Sequence, residues 1–139
     1  MLQAMNTGHE GSMTTVHANT PRDAILRLEQ MIGMAGMPAT VASIRAQIAG
    51  AIRVVVQLQR FPDGKRRVTS ISEITGTEND TILMQEIYKF VRTGNGPNGA
   101  VEGHCQATGI RPRFLPDITA LGINLPDSVF DPRGPSSAQ

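Results

Sequence analysis

Apolar positions along this chain switch between helical and strand spacing several times, and each switch falls at a turn residue. Ile25, Leu28, Ile32 and Ala35 recur at helical spacing. They follow Thr20-Pro21-Arg22-Asp23, where Thr can cap, Pro fits the first helical position and the acid complements free N–H groups. Gly36 stops that helix, and Met37-Pro38 separates it from a second one, about Thr40 to Ala51. Val41, Ile44, Ile48 and Ile52 form the second helix's stripe. Arg53 to Phe61 alternates instead, which sets Val54, Val56 and Leu58 on one face of a strand. Pro62-Asp63-Gly64-Lys65 turns the chain and Val68 to Ile74 returns as its partner, so residues 53–75 read as a hairpin packed with the two helices.

Further along, Asn79-Asp80 is another turn, and Ile82 to Val91 fits either a strand or a short helix. Asn98-Gly99 joins a second hairpin, residues 86–93 with 100–107. Arg113 to Leu121 predicts a short helix started or broken at Pro116, and Asp131 to Gln139 has the composition of a disordered tail. The N-terminus reads differently. Met1 to Asn6 looks like the body of a helix with no capping residue ahead of it, ended by Thr7-Gly8. Gly11 to His17 then reads as a strand feeding the loop Ala18-Asn19-Thr20.

Charge and composition narrow the function classes. Thirteen Lys and Arg against twelve Asp and Glu leave a net charge of +1, so a charge-driven partner must be met by a local patch. Arg60, Lys65, Arg66 and Arg67 around the first hairpin are one such patch, and Arg111 and Arg113 add charge later. Only 4% of residues are aromatic, which leaves little for bases to stack on and argues against nucleic acid as the partner. No apolar run approaches the roughly 18 residues of a membrane span, and no leader is evident, so the chain reads as soluble and not exported. Cys105 is the sole cysteine, which rules out an intramolecular disulfide and a cysteine-based zinc site and suits a reducing compartment. The methionines Met1, Met5, Met31 and Met34 fall on apolar helical positions and read as core or inter-subunit packing.

Candidate chemistry concentrates in residues 7–24. His17 stands at the carboxyl end of the expected strand and just before a helix start, where open α/β sheets place ligands. An imidazole there could hydrogen-bond a phosphate oxygen, or could merely satisfy the loop backbone. His9 and His17 are too far apart in sequence for a short-spaced metal pair, and His104-Cys105 lies in another element. Gly94 to Gly99 spells G-x-G-x-x-G, but Pro97 interrupts it and a strand-like run follows, so it reads as a hairpin tip. No G-x-x-x-x-G-K-[ST] phosphate loop occurs in the chain.

The run MLQAMNTGHEGSMTTVHANTPRDAILRLEQMIGMAG resembles the segment of type II/IV secretion ATPases that follows the Walker B motif and contains their histidine box. The likeness continues through SIRAQIAGAIRVVVQLQRFPDGKRRVTSISEITG, ATGIRPRF and LGINLPDSVFDP, and its wording is most similar to the CpaF-like motors of Tad/Flp pilus assembly. The resemblance implies an α/β fold, the C-terminal portion of a RecA-like P-loop NTPase domain, with helices on a mixed sheet and a hairpin-rich extension. It divides the chain into the end of the ATPase core with the histidine box at 1–75, the hairpin and helix extension at 76–130 and a tail at 131–139.

The implied protein is a cytoplasmic homo-hexamer, peripheral to the inner membrane. It works on pilus or secretion platform proteins and uses ATP and Mg in its full-length form. His17 matches the last histidine of the box, near the terminal phosphate and catalytic machinery, and His9 matches the first. Glu10, Thr14 and Thr15 would support that strand. By the same resemblance the Walker A lysine and the Walker B glutamate lie upstream of Met1, so this chain alone is expected neither to bind ATP tightly nor to hydrolyse it. Two alternatives stand beside this reading: a non-catalytic module docking on a secretion ATPase or pilus platform, and a conjugal-transfer-type secretion ATPase.

Overall fold

The computed structural model describes residues 11–36 and 38–134. Helices α1 (Pro21–Met34) and α2 (Val41–Ala51) precede strands β1 (Val54–Arg60), β2 (Arg66–Glu78), β3 (Thr81–Asn95) and β4 (Val101–Ala107), and a short helix α3 (Leu115–Ala120) follows. The strands form one antiparallel sheet in the order β1-β2-β3-β4. This is the α/β character expected, but the sheet of the described residues is an antiparallel meander and not the mixed sheet expected, because each strand follows its neighbour through a short turn. The chain divides into two compact units, one through Val55 with Ile74–Met84, the other Val56–Glu73 with the chain from Gln85 onward.

In the first unit both helices start on threonine caps. Thr20 Oγ1 accepts from the Asp23 N–H at 3.1 Å with Pro21 leading α1, and Thr40 Oγ1 accepts from the Ser43 N–H at 3.1 Å. Each cap satisfies an N–H that the helix itself leaves unpaired. Gly36, at φ 74°, follows the end of α1 as the sequence suggested. Ile25, Ile44, Ile48, Ile74 and Ile82 form the core cluster, with Leu28, Ile32 and Ile52 packed against it. The α2 stripe is therefore shorter than its periodicity implies. The cluster begins at Ile44, and Val41, in the first turn, is 58% exposed. Glu29 and Arg45 tie the helices together by an Nε–Oε1 contact of 2.9 Å, and Arg45 Nη1 donates to the Asp80 carbonyl at 2.9 Å. Asn79 and Asp80 both take positive φ, 48° and 61°, the primed turn that matches strand twist.

The second unit is built on hairpins. Gly64, at φ 83°, closes the β1–β2 turn, and the Phe61 N–H donates to the Lys65 carbonyl. The ambiguous segment from Ile82 is strand, and β3 pairs with β4 from Tyr88↔Ala107 to Asn95↔Val101, with an irregularity between Arg92 and Gly94. Ile87, Val101, Ala107 and Phe130 are buried here. The Tyr88 hydroxyl donates to the Val129 carbonyl, and its ring lies 6.4 Å from that of Phe130. Burial raises the Tyr88 pKa above its ordinary value. Asp131–Gly134 form a turn held by the Gly134 N–H on the Asp131 carbonyl, while Gln106 Nε2 donates to the Pro132 carbonyl. Residues 135–139 lie outside the described residues.

Two groups of apolar residues that the sequence singles out are exposed. Val54, Val56 and Leu58 do share the alternation of β1, but all three are exposed, because periodicity fixes which residues lie together and not which side is covered. Met31 and Met34 are exposed too, so of their two readings, core and inter-subunit packing, the core reading fails for them. Met1 and Met5, with the expected N-terminal helix, lie outside the described residues.

Candidate functional site around His17

Gly11 to Ala18 has no regular secondary structure, contrary to the strand expected there. A strand persists only where its N–H and C=O groups find a ladder partner, and the four-stranded sheet of the described residues does not include this segment. Val16 is half-buried, while Thr14, Thr15 and His17 are exposed. His17 therefore presents its imidazole to solvent three residues before the Thr20 cap. His9 and Glu10 fall outside the described residues. Next to this segment, Arg22 Nη1 reaches across to the Ile82 carbonyl at 2.7 Å and fixes the start of α1 on the β3 end of the same unit.

A phosphate ligand would need more than this. Among the described residues no three His, Cys, Asp or Glu side chains come together as a metal-binding group. The α1 cap is already occupied by Thr20, and Pro21 brings no N–H. Among the described residues the groups present here do not by themselves assemble a nucleotide site. The G-x-G-x-x-G run is the β3–β4 tip, with Asn98 at φ 61°, Gly99 at φ 75° and the Gly96 N–H donating to the Ala100 carbonyl at 2.7 Å. Among the described residues no helix is long and apolar enough to cross a membrane.

The basic cluster separates into two kinds of residue. Arg67 is committed internally. Its two terminal nitrogens meet the Asp63 carboxylate at 3.1 and 2.7 Å, one of them also reaches the Val101 carbonyl, and the guanidinium lies 5.0 Å over the Phe61 ring. Asp63 also accepts from the Lys65 and Val101 N–H groups at 3.0 Å each, which fastens the β1–β2 turn to the first residue of β4. Arg60, Lys65 and Arg66 remain exposed.

The Arg67 guanidinium, with the Val101 and Lys65 N–H groups, holds the Asp63 carboxyl well below the usual carboxylate range. A depressed native pKa means stability that is present above the ordinary value of 3.8 and lost as pH falls through the native one. Wild type is therefore expected to melt higher than Asp63→Asn by a constant margin above about pH 5, with the margin narrowing as acid is added. Thermal melts across that range check it, and a margin unchanged down to about pH 2 would contradict the assignment.

A second buried carboxylate escaped the sequence reading altogether. Glu73, 4% exposed, accepts from Gln85 Nε2 at 2.7 Å and from the successive N–H groups of Arg113 and Phe114 at 2.9 and 3.0 Å. It anchors the turn that leads into α3. Nothing in the local pattern SISEI marks this glutamate as different from a solvent-facing one, because Gln85 lies 12 residues away and its two backbone donors 40 and 41.

Residues 1–113 match the family model for type II/IV secretion system proteins, and the chain belongs to that family. It is 36% identical over 78 residues to a conjugal transfer protein of Mycobacterium tuberculosis, covering 56% of this chain and 22% of that protein. It is also 36% identical over 80 residues to the conjugal transfer protein TrbB of Rhizobium radiobacter, covering 58% of this chain and 23% of the relative. A conjugal transfer protein TrbB of Sinorhizobium fredii is 35% identical over 74 residues, 53% of this chain and 21% of that protein. The matched region thus spans little more than a fifth of the length of these relatives.

Proposed function

We propose that this chain is the C-terminal part of a ring-forming secretion ATPase, which contributes the histidine-box segment and a hairpin extension to a motor whose phosphate-binding half lies elsewhere in the sequence. The family match over residues 1–113 is the observation that carries this reading. The exposed placement of His17 ahead of a capped helix agrees with it, since an imidazole that serves a ligand must be reachable. In the assembled hexamer, ATP and Mg would be held mainly by the phosphate loop and acidic groups of that other half. His17 would add a polar contact near the terminal phosphate, and His9 would lie on the same segment. The working place is the cytoplasmic face of the inner membrane, beside pilus or secretion platform proteins. The conjugal-transfer relatives favour a conjugation machine over a Tad/Flp pilus as the apparatus served.

The 139-residue chain alone is expected to show no Mg-dependent ATP turnover. Joined to the N-terminal portion of the Rhizobium radiobacter relative, it is expected to restore turnover, which His17→Ala lowers roughly 100-fold or more, the usual scale for losing one contact to the reacting phosphoryl group. Turnover by the chain on its own, or a chimaera indifferent to His17, would refute the reading.

A further inference from the structure

The histidine segment joins the fold at the start of α1. Gly11 to Ala18 has no regular secondary structure, so the regular element nearest to His17 is the helix capped by Thr20. Three residues of extended chain span at most about 11 Å, and His17 can stray no further than that from the cap. Where the imidazole stands thus depends on how firmly the first turn of α1 is held. Thr20 ties the helix only to itself, through the Asp23 N–H at 3.1 Å, and Pro21 brings no donor. Ile25 is 2% exposed in the core cluster, but it belongs to the second turn. The first turn makes its hydrogen bond to the sheet through Arg22, whose Nη1 donates to the Ile82 carbonyl at 2.7 Å. Arg45 Nη1 donates to the Asp80 carbonyl at 2.9 Å, so one guanidinium from each helix grips the same end of the β2–β3 hairpin. Arg45 is also bound by the Glu29 carboxylate and flanked by buried Ile44 and Ile48. No comparable support surrounds Arg22, which is flanked by Pro21 and the exposed Asp23.

We propose that Arg22 is a positioning residue for His17. Its bond to the Ile82 carbonyl fixes the first turn of α1 on the sheet, and that turn sets where the imidazole stands. The apolar contact of Ile25 holds the helix to the core without fixing the direction in which the chain leaves it, because such contacts are not directional. A charged donor on a carbonyl is directional and stronger than a neutral one. The proposal rests on the reading of His17 as a contact to the terminal phosphate, and extends that site to a residue acting through the histidine.

Amide exchange in the 139-residue chain tests the anchoring without nucleotide. Arg22→Met keeps the unbranched stem and loses the donors. It should leave the circular dichroism unchanged while the Asp23 and Ala24 N–H groups, bonded to Thr20, exchange roughly tenfold faster. Arg22→Lys, which keeps one charged donor, should recover most of the protection. Unchanged exchange in Arg22→Met would overturn the proposal. In the chimaera described above, Arg22→Met should lower kcat roughly tenfold or more with KM for ATP little changed, and Arg22→Lys should restore most of it. Added to His17→Ala, Arg22→Met should change nothing further, since no imidazole is left to position. Equal fractional losses with and without His17 would reveal a merely structural role and overturn the proposal. A chimaera indifferent to His17 refutes the functional reading instead, and exchange alone then decides whether Arg22 sets the segment. Should Arg22→Met lose its circular dichroism, Arg22→Gln takes its place.

Discussion

Glu73→Ala is expected to cost about 3–5 kcal/mol of folding stability, enough to lower Tm by on the order of 10–20 °C. The carboxylate is nearly sealed from water and has three donors, Gln85 Nε2 and the Arg113 and Phe114 N–H groups. Alanine removes the acceptor of all three donors at a position only 4% exposed, and each unsatisfied buried donor costs about 1–3 kcal/mol. Glu73→Gln separates charge from shape. It keeps one carbonyl oxygen but turns the other position into a donor that opposes the groups already there. About half of the loss is therefore expected to remain. Chemical denaturation gives the size of both effects. Amide exchange gives their location, since the Arg113 and Phe114 N–H groups should lose protection first. A loss below about 1 kcal/mol for the alanine variant would mean that water replaces the carboxylate without penalty.

What could be read from the sequence was what neighbouring residues decide among themselves. Thr20 caps its helix because the bond it makes closes over three residues. Asn79-Asp80, Asn98-Gly99 and Pro62-Asp63-Gly64 turn the chain because their own dihedral preferences require it. The family itself was legible too, since its match runs through residues 1–113. What could not be read depends on remote partners. Gly11 to His17 has the residue types of a strand but no ladder in the described sheet. The apolar row of β1 shares one face as its spacing requires, but spacing does not say that this face is exposed. Asp63 looks like an ordinary turn acid, yet its carboxylate also reaches Val101 and so joins two hairpins. Of the candidate histidines, His17 could be placed on an exposed segment, whereas His9 lies outside the described residues.

The same limit makes the helix α2 stripe a quantitative test of packing. Periodicity treats Val41, Ile44 and Ile48 alike, but Ile48 is 0% exposed and Val41 is 58% exposed. Ile48 sits in the cluster with Ile25, Ile44, Ile74 and Ile82, so its truncation removes contacts on several sides at once. Ile48→Ala is expected to cost about 2–5 kcal/mol, the sum of lost transfer energy and the cavity left behind, and Ile48→Val only about 0.5–1.5 kcal/mol. Val41→Ala should stay within about 0.5 kcal/mol of wild type, as exposed substitutions do. The three values come from one set of denaturant melts. Equal losses at positions 41 and 48 would mean that the apolar stripe is covered along its whole length, and that the first unit's core extends past the residues that define it here. A steep gradient from 41 to 48 instead locates the core at the Ile44–Ile48 turn, against Ile74 of β2 and Ile82 of β3. That turn is what holds α2 and, through Glu29–Arg45, the helix α1 whose Thr20 cap His17 precedes by three residues.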